Sequence, residues 1–360
     1  MKKLSVYTIL LAIILIAATG CGKPVQPKSG STEANSVVQE QEITIAIFGG
    51  DWGETIKKHI IKPFENETGI KVKIIEGNST ATFSRLLQEK EAPTIDLALM
   101  DSGISELAHE KGIVENIDKS KLKENAALLP EAYQGNGEEV YGVALGYWGL
   151  GIVYNKEVIK NPPKSWKDLW MEEYKGKITV PTPATTGGLP LLVQVSELER
   201  EAKGKVEKGF RKMKELEVVA YFDGSGTATN LYQSGEASVG AHYGGPTYVM
   251  QDQGQPIEFV VPKEGVLGAG SFWHVVKGSK KSEQVYSFLN YATTKIAQEG
   301  IASDLYLAPV HKDVELDEKT LERMPYGKNG TLKDMNMPDY NLINQHRDEW
   351  TELWNREIGN

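Results

Sequence analysis

Five short stretches of this 360-residue chain carry residue types suited to holding a small charged molecule. They are Gly49-Gly50-Asp51-Trp52-Gly53-Glu54, Asp101-Ser102-Gly103, the run 182–188 with Thr185 and Thr186, the run 223–229 with Ser225, Gly226 and Thr227, and His242-Tyr243-Gly244-Gly245. The hydroxyl and Gly residues suit an anion, because small residues at a helix start leave backbone N–H groups free and the helix dipole favours negative charge there. Asp51, Glu54 and Asp101 suit an ammonium group, and Trp52 and Tyr243 offer aromatic faces to a cation. Ser, Thr, Asp and Gly are also the usual capping residues. Any one of these turns alone therefore reads as a cap or a tight turn. Five of them facing one crevice would read as a binding site.

Motifs for making or breaking bonds are absent. The chain has no G-x-S-x-G nucleophile elbow, no G-x-x-x-x-G-K-[ST] phosphate loop and no H-E-x-x-H. Its six His residues (His59, His109, His242, His274, His311, His346) never pair at helical ligand spacing, and Gly265, Gly268 and Gly270 have the wrong spacing for a dinucleotide fingerprint. His242 and His274 are expected to be buried and structural. No enzyme activity, cofactor or metal is expected, although a fold of this kind does not by itself forbid an enzyme.

The turns sit between alternating strands and helices. Apolar runs and alternation mark strands over 43–48, 70–74, 95–100, 177–181, 218–221, 237–241, 257–261 and 272–276. Helices are expected around Ile56, Ile60, Ile61 and Phe64, around Phe83, Leu86 and Leu87, and over 103–111, 166–172, 188–203, 205–216, 227–234, 246–253 and 281–293. The helix at 166–172 opens with the capping box Ser165-Trp-Lys-Asp168. Such alternation predicts α/β architecture, with mostly parallel sheets covered on both faces. Open sheets of this class bind ligands beyond the carboxyl ends of their strands, which is where the five turns fall.

Composition agrees with a folded body and excludes other classes. Hydrophobic residues make up 40% and charged residues 25%, so the chain is neither disordered nor fibrous. Its length exceeds the roughly 250–300 residues at which one core stops growing, so about two domains are expected. Acidic residues outnumber basic ones 49 to 40 and no Lys/Arg block occurs, which argues against nucleic-acid binding. The single cysteine, Cys21, can form neither an internal disulfide nor a Cys-based metal site. It follows Met1-Lys2-Lys3, an uncharged run over 4–19, and Ala18-Thr19-Gly20. That pattern is a secretory signal over 1–20, too short for a membrane span of about 20 residues. Its end resembles the bacterial lipobox, in which Cys21 would be lipidated. Residues 22–41 are rich in Pro, Ser, Gly and Gln, as a flexible tether is. The body is thus expected outside the cell membrane, held to it by lipid.

Several strings resemble the spermidine/putrescine-binding proteins of bacterial ABC importers. They are Asp96-Leu97 through Lys111-Gly-Ile-Val114 to Leu122, Tyr141-Gly-Val-x-x-x-Tyr147-Trp148-Gly, Ser165-Trp-Lys-Asp-Leu-Trp170-x-x-Glu-Tyr174-Lys-Gly176, and Gly254-Gln-Pro-Ile-x-x-Val-Val-Pro-Lys-Glu-Gly265. The resemblance spans roughly residues 43–315. It implies a two-lobed type II periplasmic-binding-protein fold, with lobes over 42–146 plus 270–315 and over 147–269 plus 316–358. It also implies a monomer that closes on a small solute and hands it to a membrane permease.

Some roles carry over from that resemblance. Trp52 and Glu54 match the family's Trp-x-Glu, Tyr243 stands where the family has a Trp, and Tyr306 where it has a Tyr near the ligand. Trp148 and Ser102 belong to the matching strings and turns. Three amine-binding features are replaced: an aromatic near Gly103-Ile104, an acidic pair in 183–186, and an Asp at Ser271. An amine ligand of several charges would leave charge unpaired at such a site. The Thr185-Thr186 and Ser225-Gly226-Thr227 turns suit an anionic end instead, as in the aminoethylphosphonate-binding relatives. Polyamine binding is the alternative. A ferric-ion role is disfavoured, because the chain has no adjacent pair of tyrosines.

Overall fold

The computed structural model describes residues 41–359 apart from Asn136 and Glu138. The expected signal, Cys21 and all but the last residue of the tether lie outside the described residues. Among the described residues ten strands make one sheet: β1 (Glu42–Ile47), β2 (Lys71–Glu76), β3 (Leu97–Asp101), β4 (Tyr133–Gly135), β5 (Val140–Asn155), β6 (Ile178–Pro181), β7 (Val218–Phe222), β8 (Val239–Tyr243), β9 (Ile257–Val260) and β10 (Leu267–Val275). Their order is β2-β1-β3-β10-β5-β8-β6-β7, with β4 and β9 added against β5.

The sheet has two parallel ends and an antiparallel middle. β1 pairs in parallel with β2 and β3, and β6 does the same with β7 and β8. β10 runs antiparallel to both β3 and β5, and β5 antiparallel to β8. The 16-residue β5 therefore serves both ends, pairing with β10 over Val143–Leu150 and with β8 over Leu150–Tyr154. Its glycines fit that crossing role. A Cβ on Gly151 would stand 2.4 Å from the Phe259 ring of β9, closer than any side chain tolerates.

Among the described residues twelve α-helices flank the strands: α1 (Gly50–Ile56), α2 (Lys62–Thr68), α3 (Ser79–Gln88), α4 (Ile104–Glu110), α5 (Gly188–Leu198), α6 (Glu207–Lys214), α7 (Ser225–Gln233), α8 (Gly244–Asp252), α9 (Ser282–Ala292), α10 (Lys295–Leu305), α11 (Glu318–Glu322) and α12 (Tyr340–Glu357). A π-helical turn, Lys57–Ile61, joins α1 to α2. Gly69 ends α2 in the left-handed conformation that the Thr68-Gly69 stop predicts. β1 and β3 are buried on both faces, as strands covered by helices on each side must be. Trp166, Trp273, Trp350 and Trp354 are among the largest fully buried side chains.

Several expectations change in detail. The capping box forms, with Asp168 Oδ2 accepting from the Ser165 amide at 3.0 Å. It opens only a 3₁₀ turn, Trp166–Trp170, because Met171 turns extended at ψ 140°. The strand expected over 237–241 lies two residues later, so His242 and Tyr243 are strand residues and helix α8 begins directly at Gly244. Helix α5 stops at Leu198, well short of 203. Helix α7 begins at Ser225 rather than 227, which places Ser225 and Gly226 in its first turn. β5, α10 and α12 were not anticipated from the sequence.

His242 and His274 are fully buried. Thr229 lies 3.2 Å from one ring nitrogen of His242, and the Tyr141 carbonyl 2.8 Å from one of His274. The other nitrogen of each ring has no partner. Burial pushes their pKa values down to about 3 and about 4, so both rings are neutral.

Candidate functional site

The carboxyl ends of the two parallel strand sets face one cavity of about 240 Å³. That is below the roughly 300–1,000 Å³ of ligand pockets in general, so a small molecule fits. From the β1–β3 end come Trp52, opening α1 after β1, Ser79 and Thr80 opening α3 after β2, and Asp101 closing β3. From the β6–β8 end come Thr185 and Thr186 after β6, Asp223, Gly224, Ser225 and Gly226 after β7, and Tyr243 closing β8. Trp148 of β5 lies between the two sets.

Asp101 is the polar centre. It is 8% exposed and accepts four side-chain hydrogen bonds. Ser271 Oγ donates to its Oδ1 at 2.6 Å and Trp148 Nε1 to the same oxygen at 3.1 Å. Thr186 Oγ1 donates to Oδ2 at 3.0 Å and Ser79 Oγ to Oδ2 at 3.3 Å. Burial raises the Asp101 carboxyl above its usual range, and the four donors act against that rise. The Thr186 bond crosses the cavity, as does a bond from Thr80 Oγ1 to the Ala184 carbonyl at 3.3 Å. The two ends of the sheet thus already touch around the cavity.

Aromatic rings form its walls. Trp52 meets Phe48 edge-on at 5.3 Å, and Trp148 meets Tyr243 edge-on at 4.9 Å. Burial raises the Tyr243 phenol to about 12, so it stays protonated. At the opposite side α7 begins with Gly224 as its N-cap, and no side chain caps its first amides. Neither Gly224 nor Gly226 has an atom within 4 Å of a would-be Cβ, so the helix start is open. Among the described lining residues Asp101 and Asp223 carry carboxyl groups, and none is Lys, Arg or His.

Eight of the residues expected from the sequence line this cavity: Trp52, Asp101, Trp148, Thr185, Thr186, Ser225, Gly226 and Tyr243. Six stand elsewhere. Asp51 is exposed in the first turn of α1, and Glu54 points outward to Lys57 at 2.9 Å. Ser102 is buried against the Gly270 backbone, and Thr227 donates to Asp223 at 3.2 Å. Ser271 lies behind Asp101. Tyr306 ends α10, its hydroxyl held between Asp252 at 2.6 Å and Arg323 at 2.7 Å. Sequence reasoning passed over Asn78, Ser79 and Thr80. The run Gly77-Asn78-Ser79-Thr80 has the composition of the other five turns and follows β2, so the same signal could have found it.

Among the described residues no helix is long and apolar enough to cross a membrane, and no group of three or more His, Cys, Asp or Glu could hold a metal ion. The spermidine/putrescine-binding periplasmic protein of Escherichia coli (strain K12) is 28% identical over 252 residues, 67% of this chain and 70% of that protein. The gamma-aminobutyric acid-binding protein of Pseudomonas aeruginosa is 22% identical over 292 residues, 78% of this chain and 80% of that protein. A crystal structure of an ABC transporter from Clostridium perfringens ATCC 13124 matches with a TM-score of 0.70 at 25% identity, covering 88% of this chain and 99% of that one. The fold is the two-lobed α/β fold of type II periplasmic binding proteins. Such proteins bind solutes and are not enzymes. Residues 59–325 match the bacterial extracellular solute-binding proteins, and the chain belongs to that family.

Proposed function

We propose that this receptor captures a small solute bearing an amino group at one end and a carboxylate or phosphonate at the other. One observation carries the reading: the cavity sets a buried carboxylate and aromatic walls opposite an open, Gly-led helix start. The amino end belongs beside Trp52 and the Asp101 cluster. The anionic end belongs at Ser225-Gly226, where α7 contributes roughly half a positive charge. A second reading, a diamine, is favoured by the two carboxylates and the lack of a cationic side chain in the lining. Calorimetry with 4-aminobutyrate, 2-aminoethylphosphonate, putrescine and spermidine side by side decides between them. The zwitterions should bind more tightly, and submicromolar spermidine affinity would sink the first reading. Trp52→Ala should weaken the preferred probe by about 0.5–2 kcal/mol, roughly 2- to 30-fold, through the lost aromatic face. Unchanged affinity in that variant would remove Trp52 from the site.

The remaining parts of the reading concern assembly. The lobes are residues 42–146 with 270–315 and residues 147–269 with 316–358, closing as a monomer and delivering the solute to an ABC permease. A lipid on Cys21 holds the receptor at the outer face of the cell membrane, a reading supported by the small-residue run before that cysteine. Cys21→Ser should move the protein into the soluble fraction with its binding intact. Retention of the variant on membranes would show a different anchor.

A further inference from the structure

We infer that Asp101 recognises the amino end indirectly, by holding the protons of Ser79 and Thr186 so that these hydroxyls offer only acceptor lone pairs to the cavity. The inference rests on the zwitterion reading above and specifies how that site chooses its ligand.

A carboxylate ion has about four acceptor positions. Asp101 has all four occupied, with Trp148 and Ser271 on Oδ1 and Ser79 and Thr186 on Oδ2. An ammonium group entering the cavity thus finds no vacant lone pair on the carboxylate itself. It finds hydroxyl oxygens. A hydroxyl has one proton and two lone pairs. Thr186 commits its proton to Asp101 and keeps its lone pairs, one of them beside the Tyr243 phenol, as acceptors. Ser79 commits its proton likewise and takes the Asp101 amide on one lone pair at 3.0 Å, leaving the other. Both residues line the cavity, whereas Ser271 does not.

The division of labour follows. Ser271 fixes the carboxylate from behind and Trp148 from the cavity wall, and Ser79 and Thr186 pass its negative charge forward through polarised O–H bonds, as hydrogen bonds in chains polarise one another. A ligand N–H meets acceptors at this end. A ligand carboxylate meets no proton there and is turned toward α7. The arrangement fixes which way round a zwitterion lies.

Two measurements on the full chain test this. Neutron diffraction from ligand-free, deuterium-exchanged crystals should place the Thr186 deuteron on the line to Asp101 Oδ2. A deuteron directed into the cavity would overturn the inference, whatever the ligand is. Calorimetry with 4-aminobutyrate, 2-aminoethylphosphonate and putrescine should show Thr186→Val raising Kd roughly 10- to 100-fold for the amine probes, as expected for a lost hydrogen bond to a charged group. Thr186→Ser, which keeps the oxygen and its proton, should hold Kd near that of the parent. Parent-like affinity in Thr186→Val would also overturn the inference while leaving the amine-binding reading intact. If no probe binds the parent protein, the reading of the cavity falls, and the deuteron position still decides the orientation of the hydroxyl.

Discussion

Asp101→Ala should cost the ligand-free protein about 3–6 kcal/mol and abolish stabilisation by any ligand of the cavity. The substitution leaves the buried Trp148 N–H and Ser271 hydroxyl with no acceptor, and each unsatisfied buried donor costs about 1–3 kcal/mol. It also strands Thr186 and so removes one of the two hydrogen bonds that cross the cavity. Urea denaturation monitored by fluorescence would measure the loss. Asp101→Asn, which keeps the volume and an acceptor oxygen, should cost less in stability and still bind poorly. A midpoint for Asp101→Ala equal to that of the parent would mean that the four-donor cluster does not form.

Gly245→Val should be as damaging by a different route. A Cβ at position 245 would lie 2.2 Å from the Leu305 carbonyl oxygen, a clash with backbone that no rotamer relieves. The start of α8 must then separate from the end of α10. That junction is further held by Tyr306 on Asp252, and by the Arg323 guanidinium 5.0 Å from the centres of both the Tyr248 and Tyr306 rings. Forcing extra atoms into well-packed positions usually costs about 1–3 kcal/mol, and backbone displacement should bring this case to the upper end or beyond. Because α8 follows directly from Tyr243, ligand affinity should fall along with stability. Gly245→Val melting with the parent would show that the two helix ends are farther apart than described.

The parallel ends of the sheet were legible because β1, β3, β6 and β8 are short apolar runs bounded by Gly, Pro and Asp, a local signal. The chain through β5 was not. Its sequence, Val-Tyr-Gly-Val-Ala-Leu-Gly-Tyr-Trp-Gly-Leu-Gly, has glycines where a strand should have β-branched residues. Those glycines answer to the close approach of other segments, such as Phe259 on Gly151, which appears only once the chain is folded. Site residues divide in the same way. Turns after parallel strands announce themselves by composition, and eight expected residues do line the cavity. Which carboxylate faces inward depends on partners far away in sequence. Glu54 has Lys57 three residues on to draw it outward, whereas Asp101 is held by Ser271, 170 positions later. The type of residue was readable in both cases. Its direction was not.

The central position of β10 bears on how the chain reaches this state. β3 and β5 lie on either side of it and do not pair with each other, so the two parallel strand sets have no continuous sheet between them until residues 267–275 are in place. Ser271 pairs with Asp101 and Trp273 with Val143, contacts of very large sequence separation. Chains dominated by such contacts fold slowly, because the loop entropy must be met before the pairing contributes. About three quarters of the polypeptide must therefore emerge before the ligand cavity can exist at all. A newly made chain of this topology is therefore expected to fold slowly.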